Sequence, residues 1–338
     1  MFIINNKQKQ TNKGNNMNNL KKIGLTALAG SLVATSVAYA GALEATGSAE
    51  MKMSNHSASS AGKTIGMGNS IYFKGSGETD GGLNVALSFE LDQGASDGAA
   101  GVYDNHSVSV GNDSLGTLTV HGHGGSNSAA ALDTTAAGDF WDNTLGITTA
   151  TGGAGNTPQA SASGNGLVVY SLPSMVDGLT AAVSYASAGS NNAGSTAYGV
   201  TYAGVEGLSV SFGKGNNEAT VNVDMDQTIM KASYAYGPVT VAVSNNDFDH
   251  TTSANDQEVR SYSLAYTLTD SLSVSYGSET IEKAGTTSDI EVDGVTAAYT
   301  TGGMTIGLTS IEASNVDHSA TGTNNDNEFW KVSLSFAF

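Results

Sequence analysis

Apolar and polar positions alternate one for one along most of this chain, the period of a β-strand whose two faces meet unlike surroundings. Leu83, Val85, Leu87, Phe89 and Leu91 alternate with Asn84, Ala86, Ser88 and Glu90, and Leu208, Val210 and Phe212 with Ser209, Ser211 and Gly213. Near the end, Trp330, Val332, Leu334, Phe336 and Phe338 alternate with Lys331, Ser333, Ser335 and Ala337. Such runs predict sixteen strands, over 43–55, 63–78, 83–92, 103–111, 115–123, 165–173, 178–188, 195–203, 207–214, 226–236, 238–248, 257–268, 271–282, 288–300, 304–313 and 327–338. The links between them alternate strictly between short turns, as at Thr269-Asp270, and longer polar stretches, the longest being Gly124 to Gly164.

Strict short–long alternation is what an antiparallel up-and-down barrel produces, with tight turns on one rim and large loops on the other. A soluble sandwich alternates too. A soluble barrel, however, puts its large apolar residues inside, and about sixteen strands enclose more space than side chains can fill. Here the partners of the large apolar residues are mostly Ser, Thr, Gly and Ala, which suits a wet lumen. Aromatic residues such as Tyr72, Phe73, Tyr234, Tyr236, Tyr266 and Phe336 gather near strand ends, which suits interfacial girdles. The expected fold is all-β, a transmembrane antiparallel up-and-down β-barrel of about sixteen strands. A secreted β-solenoid or adhesin shares the richness in Gly, Ser, Asn and Thr, but no fixed repeat of about 20 to 50 residues is visible.

Ahead of the barrel, Lys21 and Lys22 precede a small apolar run over 23–37, and Ala38-Tyr39-Ala40 puts small residues where a signal peptidase reads. Residues 1–16 are polar and do not fit ahead of such a signal, so Met17 is the expected initiator. Residues 1–40 then form an extension plus a signal cleaved after Ala40, and 41–338 the barrel. Five lysines and no carboxylate precede Gly41, so eight basic residues face 31 acidic ones beyond it, a net charge of about −23. A field of that sign repels nucleic acid and attracts cations. Without cysteine there are neither disulfides nor thiolate metal sites. Beyond the signal, no apolar run reaches the roughly eighteen residues of a membrane helix. No Gly-x-Ser-x-Gly elbow and no phosphate-cradling glycine loop occurs, so no enzymatic activity is expected; a hydrolase assembled from distant rim residues is the remaining enzymatic alternative.

The final segment, Phe329 to Phe338, ends on an aromatic residue in register with its apolar face. It resembles the terminal strand of outer-membrane barrels, whose final Phe helps the barrel-assembly machinery recognise them; the corresponding row here is Trp330, Val332, Leu334, Phe336 and Phe338. The hairpin Ile71-Tyr72-Phe73-Lys74-Gly75-Ser76-Gly77-Glu78-Thr79-Asp80-Gly81-Gly82-Leu83, with Leu115 to Val120 and Asn165 to Ser171, is similar to the Gram-negative general diffusion porins, nearest the alphaproteobacterial sixteen-stranded type. The similarity is of pattern and length over nearly the whole chain beyond the signal. It implies a homotrimer in the cell outer membrane, among lipid and lipopolysaccharide, each barrel passing small hydrophilic solutes and ions passively. It also implies that the third long loop folds into the lumen; Gly124 to Gly164, between the fifth and sixth predicted strands, lies where the family places that loop. A substrate-specific channel is the alternative within transport.

Porin constrictions oppose acidic groups on the inward loop to basic groups on the wall, and the transverse field screens solutes by charge and dipole. The resemblance puts Asp133, Asp139 and Asp142 on the acidic side, with Phe140 and Trp141 as anchors against the wall. Alternation places Lys52 and Lys74 on the small-residue face, pointing inward, with His121 and His123 also inward at the mouth of the loop. Related pores carry several arginines on the wall, whereas Arg260 is the only arginine here, so a weak transverse field and a preference for cations are expected. No cofactor is expected. His121-Gly122-His123 offers two imidazoles on one strand face with no third ligand nearby, a weak metal site. Asn245-Asn246-Asp247-Phe248-Asp249-His250, with Asp256 beyond, offers oxygen ligands for loop-bound Ca²⁺, against the simpler reading of surface acids with no specific role.

Overall fold

The computed structural model describes residues 42–338 apart from 58–61, 93–102, 144, 148–155, 159–163, 189–192, 220–223 and 320–325. The signal segment, its cleavage after Ala40 and the choice of Met17 as initiator lie outside the described residues. The strands, in chain order, are β1 (Ala42–His56), β2 (Thr64–Glu78), β3 (Asn84–Asp92), β4 (Tyr103–Asn112), β5 (Gly116–His123), β6 (Leu167–Ser171), β7 (Leu179–Ala186), β8 (Ala193–Tyr202), β9 (Leu208–Ala219), β10 (Met225–Tyr236), β11 (Val239–His250), β12 (Gln257–Thr269), β13 (Leu272–Lys283), β14 (Ile290–Thr301), β15 (Met304–Ser314) and β16 (Asn327–Ala337). Each pairs antiparallel with its sequence neighbours, and β16 pairs back with β1, Ser48 opposite Ala337 and His56 opposite Phe329, so the barrel closes without a free edge. Phe338 completes the seam: its N–H donates to the Gly47 carbonyl at 3.0 Å, and its carbonyl accepts from the Gly47 N–H at 2.7 Å.

Several of the short turns need left-handed backbone, two of them in two-residue links. Gly237, between β10 and β11, has φ +56°, and Gly302, between β14 and β15, has φ +57°, values that a side chain would strain in a hairpin of this hand.

Cross-strand partners share a face, so the register traces two continuous surfaces around the barrel. One carries Met51, Met53, Ile65, Met67, Leu118, Val183, Tyr262, Leu264, Leu308 and Val332, all exposed. This is the lipid-facing apolar band. The inner surface carries small and hydroxyl-bearing residues toward the short turns, such as Ser263, Ser275, Thr296, Thr309, Ser333 and Ser335. Toward the loop rim the inner surface of β10 to β16 adds large apolar residues between its buried polar ones. Met225, Phe248, Val259, Ile281, Ile290, Val292, Ile311 and Phe329 are buried there with Phe140 and Leu145 of the long loop. The small-residue lumen read from the alternation therefore holds on the turn side only. At the rim the loop brings its own apolar side chains inside, and the wall that meets them sets large apolar residues among buried polar ones.

Candidate functional site: the narrowed lumen

The long loop between β5 and β6 runs inside the barrel, and the reason lies in where its backbone donors find acceptors. Its base is pinned by Gly125 and Gly164, which exchange backbone hydrogen bonds of 3.2 and 2.7 Å. Asn127 Oδ1 then accepts from the N–H groups of Ala129 and Ala130, starting a 3-10 turn over Ala130–Leu132. Inward-facing hydroxyls of the wall take the next donors: Ser128 N–H donates to Ser184 of β7 at 2.8 Å, Ala136 N–H to Ser244 of β11 at 2.8 Å, and Ala137 N–H to Ser261 of β12 at 2.9 Å. Lys231 of β10 donates to the Thr134 carbonyl, and Asn246 of β11 to that of Asp133. Backbone groups that would otherwise be stranded inside the barrel are thus satisfied, which is what allows an irregular loop there.

A single carboxylate holds the centre of the loop. Glu279 of β13 is 1% exposed; it accepts from the Thr135 hydroxyl, from Phe140 N–H at 3.1 Å and from Trp141 N–H at 2.9 Å. The Thr135 hydroxyl in turn accepts from Gly138 and Asp139 N–H at 3.1 and 2.9 Å, closing the turn that leads into the 3-10 segment Phe140–Asp142. Phe140 packs on two inward-facing glycines. A Cβ on Gly277 would stand 3.0 Å from its ring, and one on Gly294 2.6 Å. Further on, Asn327 of β16 donates to the Leu145 carbonyl at 2.7 Å.

The three loop aspartates expected at the constriction have different surroundings. Asp133 turns back to the wall, beside Gln227 and Lys231; burial, with Asp139 close by, pushes its carboxyl up to about 6. Asp139, in left-handed backbone at φ 56°, accepts from Thr135 N–H at 2.9 Å and so shapes the loop. Asp142 is exposed, and partial burial together with Asp139 raises its carboxyl above the usual range. Ala136 and Ala137, not these acids, front a lumen cavity of about 450 Å³ whose far side includes Glu50, Asp92 and Lys331. On that far wall Lys52 lies opposite Ser333 and Lys74 opposite Glu44 and Ser88, all on the inner face. Glu50 stands between two ammonium groups, Lys52 Nζ at 3.6 Å and Lys331 Nζ at 3.8 Å.

Two expectations need correction. His121 and His123 do not share a row: His121 opposes Ser107, but the register shifts at the next step and His123 opposes His106, with the two rings stacked at 6.4 Å. Gly122 is the extra residue of this bulge, so simple alternation misplaces His123 and the paired-imidazole site does not form. The stretch expected to be a loop offering oxygens to Ca²⁺ is strand instead: Asn245, Asp247 and Asp249 lie on the outer face of β11, and Asn246, Phe248 and His250 on the inner, which divides its side chains between two faces. Among the described residues the acids that do converge are Glu90, Asp92 and Asp104, with Asn105 donating to Glu90 at 2.6 Å. Arg260 faces outward, bridging Glu258 and Glu282 at 2.6 Å each, and lends nothing to the lumen. Sequence reasoning finds the anchors Phe140 and Trp141 but passes over Glu50, Lys231, Glu279 and Lys331. Their signal is charge on the inner face of an alternating strand.

Comparison with known proteins agrees with this architecture. A family model described as Gram-negative porin matches residues 24–338. An anion-selective porin from Comamonas acidovorans is similar in structure, with a TM-score of 0.68 at 17% identity, over 88% of this chain and 100% of that one. A mutant of Rh. blastica porin is similar at a TM-score of 0.61 and 15% identity, over the same 88% and 100%. Such identities carry the fold alone. Among curated protein sequences nothing matches. With the family model spanning the whole closed barrel and its inward loop, the chain belongs to the Gram-negative porin family and forms an outer-membrane diffusion channel.

Proposed function

We propose that the barrel is a general diffusion pore, water-filled and preferring cations, which passes small hydrophilic solutes and ions down their gradients with no covalent step and no cofactor. The observation that carries this reading is the cavity left beside the loop, about 450 Å³, lined by hydroxyls, small residues and few charges. A site built for one solute needs several convergent groups around an enclosed pocket; this lining is spread over many strands. Cation preference is supported by the net charge of about −23 beyond the signal and by the outward position of the lone arginine. The assembly that fits the family is a homotrimer set in lipid and lipopolysaccharide. The outward row of β16 that ends at Phe338 would serve as its barrel-assembly signal.

Swelling of proteoliposomes in sugars of graded size tests the reading. Rates that fall smoothly with solute size and do not saturate are expected. Saturation with one solute would replace the general pore by a substrate-specific channel, and no swelling with folded protein would refute both. A reversal potential favouring chloride in a KCl gradient would remove the cation preference.

A further inference from the structure

We infer that Glu50 of β1 tilts the ion selectivity of this pore toward cations, by neutralising the two lysines it touches. The inference rests on the diffusion-pore reading above. The loop segment fronting the passage presents Ala136 and Ala137, while Asp133 is turned to Gln227 and Lys231 on the wall behind. The charged side chains lining that cavity are therefore on the opposite wall, Glu50, Asp92 and Lys331. Glu50 and Lys52 lie two residues apart on the inner face of β1, and Lys331 shares the inner face of the neighbouring β16. The Glu50 carboxylate contacts one ammonium through each oxygen, Lys52 at 3.6 Å and Lys331 at 3.8 Å. The Lys52 side chain is 42% exposed and that of Glu50 24%, so the basic groups reach further into the water than the acid that balances them.

With Glu50 ionised, the three groups carry one net positive charge, and Asp92 on the same cavity offsets it. Without that carboxylate, the two ammonium groups lose the acid they touch, and Asp92, clustered with Glu90 and Asp104, is left to offset them from further along the wall. Charge further back matters less, because beyond a Debye length, about 8–10 Å at physiological salt, it is largely screened. Asp139 therefore shapes the loop and Asp133 faces the wall behind it, while the β1–β16 wall acts on the ion.

The test is the reversal potential of the full-length mature protein in planar bilayers across a KCl gradient. Glu50→Gln is expected to lower the potassium-to-chloride permeability ratio by roughly threefold, the screened effect of one charge a few ångströms from the ion's path. The double variant Lys52→Met with Lys331→Met keeps Glu50 and is expected to raise the ratio by a similar factor; it decides the question if Glu50→Gln does not assemble. Asp133→Asn is expected to move the ratio less than either. An unchanged ratio in the Glu50 and double-lysine variants, or an equal shift with Asp133→Asn, overturns the inference. Absence of conductance in the unaltered protein would overturn the pore reading itself.

Discussion

Replacing Glu279 asks whether one buried carboxylate fastens the long loop across the lumen. It accepts three hydrogen bonds from the loop: from the Thr135 hydroxyl and Phe140 N–H on Oε1, and from Trp141 N–H on Oε2. Hydrogen bonds contribute about 0.5–3 kcal/mol each, most where the acceptor is charged, and a buried donor left without an acceptor costs about 1–3 kcal/mol. Glu279→Gln keeps one oxygen but turns an NH₂ toward Trp141 N–H, a loss of about 2–3 kcal/mol. Glu279→Ala removes all three acceptors. Relief from desolvating the carboxylate, and entry of water from the lumen, hold that loss to about 3–5 kcal/mol. The loss falls on local opening of the loop and not on the barrel, so amide hydrogen exchange is the assay. With tenfold per 1.4 kcal/mol, exchange at Phe140 and Trp141 is expected to speed up about 50-fold in the Gln variant and at least about 100-fold in the Ala variant. Strand amides such as Val259 should keep their protection. Unchanged exchange at Phe140 and Trp141 in Glu279→Ala would refute the reasoning.

Three further outcomes are expected. Gly294→Ala places a Cβ 2.6 Å from the Phe140 ring, an overpacking of about 1–3 kcal/mol that pushes the loop into the passage. Its single-channel conductance should fall, and equal conductance would contradict the packing argument. The Asp133 carboxyl is held at about 6, above its unfolded value, so its contribution to stability is full below the unfolded value and is lost as pH rises through about 6. Asp133→Asn does not titrate, so its unfolding temperature should gain on the unaltered protein between about pH 4 and pH 7; a constant difference would contradict the assignment. Deleting Phe338 removes both seam bonds to Gly47 and the end of the outward row, so the yield of folded, heat-modifiable barrel in the outer membrane should drop. An undiminished yield would show that neither is needed for assembly.

The strands are legible in the sequence because period-two alternation survives wherever lipid faces one side and water the other. It fades where strands rise beyond the lipid. Alternation ends β9 at residue 214, yet the strand runs to Ala219, with Asn216 and Asn217 still paired to β10. Those polar residues resemble a turn in sequence, but above the apolar band an outer face has no need to be apolar. The same fading makes Asn245 to His250 look like a cation loop when it is the end of β11. The inward loop is legible from its length and place. The directions of its aspartates are not, because two 3-10 turns and a left-handed Asp139 follow no period that alternation could reveal. His123 is misplaced by one bulge residue, Gly122, which the pattern does not announce. Glu279 is visible only as a charge on the inner face of β13, and nothing in the sequence joins it to Thr135, far away along the chain.

The most direct measurement of the central claim is single-channel recording of the refolded protein in a planar bilayer over a range of KCl concentrations. A passive pore predicts discrete current steps, in groups of three if the barrels assemble as trimers, with conductance rising in proportion to salt. Folded protein that conducts nothing, or a current that saturates at modest salt, would contradict the account.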